Sequence, residues 1–156
     1  MIRVNVVKGC KLWDEKIKQP LNFFNRLVKY FPKYYKFKKK DVSLTVLLSN
    51  NKNIKKLNNK FRKKNKFTDI LSFPFDQKPF LKKKIYLGDI IISYEFMNKP
   101  KYLKNIDFKN NVCKTFIHGF LHLLNYDHIK LKDFKKMNKK ELKIYNLLSK
   151  KIGKFI

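Results

Sequence analysis

Val42-Ser43-Leu44-Thr45-Val46-Leu47-Leu48 is β-branched and apolar almost without interruption. A strand with one wet face alternates. A run as continuous as this one predicts a strand buried on both faces, central in its sheet. Upstream, Ile2, Val4 and Val6 alternate with polar residues and predict a half-buried strand. Between these strands Pro20 suits a first helical turn, and Leu21, Phe24, Leu27, Val28 and Phe31 recur at helical spacing. The resulting β-α-β unit should cross right-handedly and make its two strands parallel. Residues 36–40 form a basic loop ahead of the central strand.

Downstream, Asn50 or Asn51 caps a helix whose inner face is Ile54, Leu57 and Phe61, followed by a polar loop over 63–66. Residues 70–73 and 85–92 read as strands, joined by a turn-rich segment containing Pro74 and Pro79. Ser93 is placed to cap a short helix ending before Pro100. Asp107 is placed to cap a longer one carrying Val112, Cys113, Phe116, Ile117, Phe120, Leu121 and Leu124. A final helix over 133–151 turns Phe134, Met137, Ile144, Leu148 and Ile152 inward. Neither an internal repeat nor a linker is visible. The expectation is one α+β domain over residues 1–156, a mixed β-sheet flanked by helices.

The chain has 156 residues, enough to bury a real core, and 39 basic against 11 acidic residues give a net charge of +28. Such a field favours polyanions, nucleic acid before an anionic membrane, and disfavours a cationic substrate. Arg3, Arg26 and Arg62 are the only arginines and alanine is absent, so the lysine excess reads as surface filler or as a dedicated basic binding face. Cys10 and Cys113 form no spaced pair, which excludes a cysteine-based zinc site and a disulfide framework. The opening residues lack an apolar signal region and no apolar run reaches membrane-spanning length, so a soluble cytoplasmic protein without a membrane partner is expected.

All three histidines lie in His118-Gly119-Phe120-Leu121-His122-Leu123-Leu124-Asn125-Tyr126-Asp127-His128. His118 and His122 share one helical face, the spacing by which two imidazoles reach one cation. Six further helical residues would carry His128 about 9 Å along the axis. A turn after Leu124 brings it back, and Asn125 suits that turn because asparagine enters the left-handed conformation readily. Three imidazoles leave one coordination position open, a catalytic rather than structural pattern, with zinc the first choice for nitrogen ligands. Metzincin peptidases share the spacing, but their general base follows the first histidine, where this chain has Gly119.

The histidine stretch resembles the HGxLHLxGYDH signature of the YbeY family of bacterial metallo-endoribonucleases. Two further stretches agree. Phe61-Arg62-Lys63-Lys64-Asn65-Lys66-Phe67-Thr68-Asp69-Ile70-Leu71-Ser72-Phe73-Pro74-Phe75 is similar to the family's YRGKDKPTDVLSFPF-like segment, and Leu87-Gly88-Asp89-Ile90-Ile91-Ile92 to its LGDIVI strand. Lys63, Asn65 and Phe67 replace the usual Gly, Asp and Pro, and Asn125 replaces the signature's second Gly. The resemblance implies that His118, His122 and His128 bind one zinc ion per chain and that Arg62 acts beside them. It also implies cleavage of single-stranded ribosomal RNA precursors, maturation of the 3′ end of the small-subunit 16S RNA, ribosome quality control, and work on or near the small ribosomal subunit.

Chemically this is coherent. Phosphodiester hydrolysis needs a nucleophile and stabilisation of charge on phosphate oxygens; an open three-histidine ion suits both needs. A guanidinium pairs with two phosphate oxygens at once, which lysine does not. The plainer reading of Arg62 is a helix-end cation answering the dipole. Two other functions fit parts of the pattern: a non-catalytic RNA-binding assembly factor with structural zinc, and a metzincin-like peptidase. Asp127 is placed either to bond a ligating imidazole or to hold the turn. Asp69 and Asp89 are expected to make strand-end hydrogen bonds. Gly88 suggests a bulge or a close backbone approach to the metal helix, and Cys113, about 140° round from His118, faces the core.

Overall fold

The computed structural model describes residues 1–32, 35, 37, 40–75, 84–101 and 103–152, the last by its backbone alone. Parts of the basic loop over 36–40, Pro79 and the inward placing of Ile152 lie outside the described residues. The central-strand expectation holds. β2 (Asp41–Ser49) runs between β1 (Ile2–Lys8) and β4 (Lys84–Ser93), parallel to both. β3 (Ile70–Pro74) closes the order β1-β2-β4-β3 by pairing antiparallel with β4, which makes the sheet mixed.

The chain order is β1, α1 (Trp13–Lys16), α2 (Pro20–Lys29), β2, α3 (Asn51–Arg62), β3, β4, α4 (Tyr94–Met97), α5 (Asn105–Leu123) and α6 (Leu131–Ile152). The α+β expectation is met, with α1 as an unforeseen turn of helix. Its Trp13 is fully buried and donates from Nε1 to the Ser49 carbonyl at 2.9 Å, which satisfies the indole's one polar group. No helix among the described residues is long and apolar enough to cross a membrane.

Alternation along β2 divides the core. Val42, Leu44, Val46 and Leu48 face the large cluster shared with α2, α5 and α6, whereas Leu47 faces a small cluster of Ile54, Leu71 and Ile91 beneath α3. α5 lies on β3 and β4, and α6 packs on α5. The edge strand β1 has the outward groups of one residue satisfied by a side chain: Asn25 accepts from Val4 N at 3.0 Å and donates to Val4 O at 2.8 Å.

Several inward assignments move. In α2 Phe23 is buried while Leu21 is 57% exposed. In α3 the buried positions are Ile54 and Asn58, and Phe61 is exposed with its ring 5.2 Å from that of Phe73. The Asn58 amide is affordable inside because Nδ2 donates to Lys66 O at 2.9 Å, which also ties down the loop after α3. Phe134 is exposed in the first turn of α6, whereas Met137, Ile144 and Leu148 are buried. Leu123 is buried in place of Leu124, which is half-buried.

Caps differ in detail. Asn50 caps α3, its side chain accepting from Asn53 N at 2.9 Å. Ser93 holds the N-cap position of α4, but its hydroxyl lies 2.6 Å from Asn51 Oδ1 and caps nothing. α5 begins two residues before Asp107, which sits inside its first turn and complements the dipole there. Asp69 accepts from Ile70 N at 2.9 Å, a strand-end bond as expected, while Asp89 accepts from the Tyr86 hydroxyl at 2.6 Å.

Candidate metal centre

The site begins with how closely α5 sits on the sheet. A Cβ added at Gly119 would meet Ile70 Cδ1 at 2.5 Å, Ser72 Oγ at 3.0 Å and Ile90 Cγ2 at 3.2 Å. The absence of a side chain there lets the helix lie down on β3 and β4. Gly88 serves the strand below. Its φ of 133° lies outside the range of L side chains, and an added Cβ would meet Phe73 O at 2.1 Å. The close approach is thus to β3 and not to the metal helix, and it accompanies a register shift between β2 and β4 at Ser43 and Thr45.

The end of α5 then turns as the sequence anticipates. Asn125 has φ 62°. Tyr126 N donates to Leu121 O at 3.0 Å and Asn125 N to His122 O at 2.9 Å. These are the two bonds of a Schellman ending with Asn125 in the left-handed position. Because its own carbonyl accepts one of them, His122 is fixed to the turn that returns His128. Asp127 holds the turn, Oδ1 accepting from His128 N at 2.6 Å, rather than bonding an imidazole. Lys63, where the family pattern has glycine, likewise adopts φ 57° at the end of α3.

The three imidazoles converge: one ring nitrogen from each of His118, His122 and His128 lies within 4.8 Å of the others. The Nε2 atoms of His118 and His122 are 3.0 Å apart. Nitrogens bound at about 2.0–2.1 Å to one tetrahedral ion stand about 3.3 Å apart, so the donor set fits a single ion. The other nitrogen of His118 is occupied. Nδ1 lies 2.7 Å from Glu141 Oε1 on α6, so the imidazole donates there and turns Nε2 toward the cluster. Burial, then the neighbouring His118 and His128, lower the pKa of His122, against a backbone hydrogen bond at Tyr126 and the Asp127 charge. Lowering keeps its imidazole neutral, the state that ligates a metal.

An open cleft of about 480 Å³ reaches this cluster at His122 and His128. Its walls include His122, His128, Arg62 and Lys64, so the residue singled out at the end of α3 shares a cleft with the histidines. No carboxylate among the described residues forms an ion pair with Arg62, which leaves its guanidinium available. Cys113 is fully buried, with its thiol pushed up to about 12 by desolvation, and takes no part.

Glu141 is the site residue that sequence reading missed, though a signal existed. It occupies the inward stripe Met137, Glu141, Ile144, Leu148 of α6, and a lone carboxylate in such a stripe needs a partner.

Residues 10–149 match a protein family described as Endoribonuclease YbeY. A protein of that name from Pelagibacter ubique (strain HTCC1062) is 62% identical over 153 residues, covering 98% of this chain and all of the relative. One from Ehrlichia canis (strain Jake) is 34% identical over 151 residues, covering 95% and 93% of the two chains. The solution structure of a protein from Thermotoga maritima is similar with a TM-score of 0.58 at 26% identity, covering 96% of this chain and 91% of that one.

Proposed function

The chain belongs to the YbeY endoribonuclease family, enzymes that hydrolyse RNA phosphodiester bonds in ribosomal RNA maturation, and from this we propose that it trims single-stranded precursors of the small-subunit RNA at the 3′ end, in the cytoplasm and on the ribosome. In this reading His118, His122 and His128 hold one zinc ion and Arg62 holds a substrate phosphate. The observation that carries it is the convergence of three imidazole nitrogens within 4.8 Å, in a cleft that Arg62 and Lys64 also line.

Each side chain has a separate task. Glu141 accepts the Nδ1 proton of His118 and so fixes which nitrogen faces the ion. His122 stays neutral through burial, keeping a lone pair free at neutral pH. The left-handed turn at Asn125 brings His128 to the pair on α5. A divalent ion, when bound, supplies Lewis acidity toward a phosphoryl oxygen and makes water a nucleophile near neutral pH. Arg62 meets two oxygens of the same phosphate with its planar fork, and Lys64 adds a point charge to the cleft wall.

The peptidase reading loses ground on the packing of α5. A glutamate after His118 would need space where a Cβ alone meets Ile70 and Ser72 at 2.5 and 3.0 Å. The remaining alternative is an assembly factor whose ion is structural. Metal-loaded protein offered single-stranded RNA, duplex RNA and casein, with and without chelator, separates these readings. Chelator-sensitive cleavage of the single strand alone is expected; RNA binding without cleavage of any substrate would make the protein an assembly factor. Mapping precursor ends in cells depleted of the protein tests the ribosomal substrate, with unprocessed small-subunit 3′ ends expected and correctly trimmed ends counting against it.

A further inference from the structure

Beyond the cleft, the α3 side of the sheet carries aromatic rings that are exposed or only half-buried. α3 covers the Leu47, Leu71 and Ile91 end of this face. In the last turn of the helix Phe61 is 57% exposed, and its ring lies edge-on to the half-buried Phe73 at 5.2 Å. Phe73 stands opposite Asp89 in the β3–β4 register, and the Asp89 carboxylate accepts from the Tyr86 hydroxyl at 2.6 Å. Phe75, 73% exposed, stands edge-on to Tyr86 at 5.5 Å. Phe61 with Phe73 and Phe75 with Tyr86 therefore form a row of two ring pairs on the α3 side of the sheet, with Asp89, opposite Phe73 and bonded to Tyr86, between them.

The Phe61 end of the row is the more basic one. Phe61 adjoins Arg62, which with Lys64 lines the histidine cleft. Beyond Tyr86 a depression of about 290 Å³ is lined by Lys84 and by Arg3, whose guanidinium is paired there with Asp41 at 3.1 Å. Exposing large rings to water is unfavourable, and a ring row leading away from a cationic cleft matches a chain with anionic links and flat apolar faces.

We propose that the ring row of Phe61, Phe73, Tyr86 and Phe75 is a base-stacking platform for the single-stranded segment of the RNA that runs out of the metal cleft. This rests on the nuclease reading of the cleft. The exposed rings of Phe61 and Phe75 offer faces to successive bases without choosing among them, since every base has a π-face. Bases of a duplex are already paired and stacked, so the platform favours single strands. Asp89 sits within the row as an acceptor for base amino groups and repels phosphates, which sets the sugar–phosphate chain toward the lysine and arginine side chains that flank it.

The test uses the metal-loaded protein and a fluorescent 2′-O-methyl oligonucleotide that resists cleavage, offered single-stranded or annealed. Phe61→Leu and Phe75→Leu keep apolar bulk and lose the ring. Each should weaken single-strand binding roughly five- to 150-fold, as about 1–3 kcal/mol per stacked base implies. Duplex binding should be unchanged, and Phe61→Tyr should bind like the wild type. Single-strand affinity unaltered in both leucine variants, or an equal loss for duplex and single strand, would overturn the platform. Cleavage of unmodified RNA by the wild-type protein is followed in parallel. Its absence would remove the nuclease reading, while the binding comparison still decides the platform.

Discussion

Replacing Asn125 by valine tests whether a left-handed residue delivers the third ligand. At φ 62° this position is unfavourable for an ordinary L residue by about 1–2 kcal/mol, less for asparagine and more for a β-branched side chain. Asn125→Gly removes the Cβ penalty and adds unfolded-state freedom of roughly 0.5–1 kcal/mol, so the two effects nearly cancel. Asn125→Val should therefore lie about 1–3 kcal/mol above the glycine variant. If the strain is relieved by releasing the Tyr126–Leu121 and Asn125–His122 bonds, His128 leaves the cluster, and that energy appears as about five- to 150-fold weaker zinc binding. If the turn holds, the same energy lowers Tm by about 2–4 °C per kcal/mol for a chain of this length. Competition with a chromophoric chelator and thermal unfolding of the same samples separate the two outcomes. Valine and glycine variants indistinguishable in both measurements would refute the turn argument.

Arg62→Lys keeps the charge and loses the fork, so single-turnover RNA cleavage should fall about ten- to 150-fold, the equivalent of one charged hydrogen bond of roughly 1.5–3 kcal/mol. RNA affinity should change little, Arg62→Ala should be slower still, and metal content should be unaltered in both; wild-type cleavage by the alanine variant would remove Arg62 from the reaction. Glu141→Ala should lower zinc affinity about ten- to 100-fold by freeing the His118 ring, and unchanged affinity in a chelator competition would show that the 2.7 Å contact does not orient it. Gly119→Ala should destabilise by about 1–3 kcal/mol in urea unfolding, because Ile70, Ser72 and Ile90 must give way to the new methyl. An unchanged midpoint would mean that α5 lifts freely from the sheet.

The sheet and the site were legible to different depths for physical reasons. An unbroken apolar run has one comfortable place, between two other strands, so Val42–Leu48 located the centre of the sheet. The histidine spacing and Asn125 carry their geometry in the chain itself, since i and i+4 share a face and few residues accept positive φ. Misplaced residues share a different cause. With lysine and asparagine filling the surface, Leu21, Phe61 and Phe134 looked inward merely by being apolar, although periodicity does not say where a neighbouring element ends. Phe61 overhangs the sheet while Asn58 goes in with a partner supplied eight residues later. Glu141 was missed because its partner lies 23 residues away on another helix, a pairing that only the packing of α6 on α5 creates.

In the proposed function His118, His122 and His128 hold one ion on which RNA cleavage depends. This dependence is read by titrating chelator-stripped protein with zinc while following cleavage of single-stranded RNA. Cleavage should rise from nothing and break sharply at one equivalent per chain, and His118→Ala, His122→Ala and His128→Ala should show no such break. Undiminished cleavage by the stripped protein, or a break that survives in all three alanine variants, would contradict it.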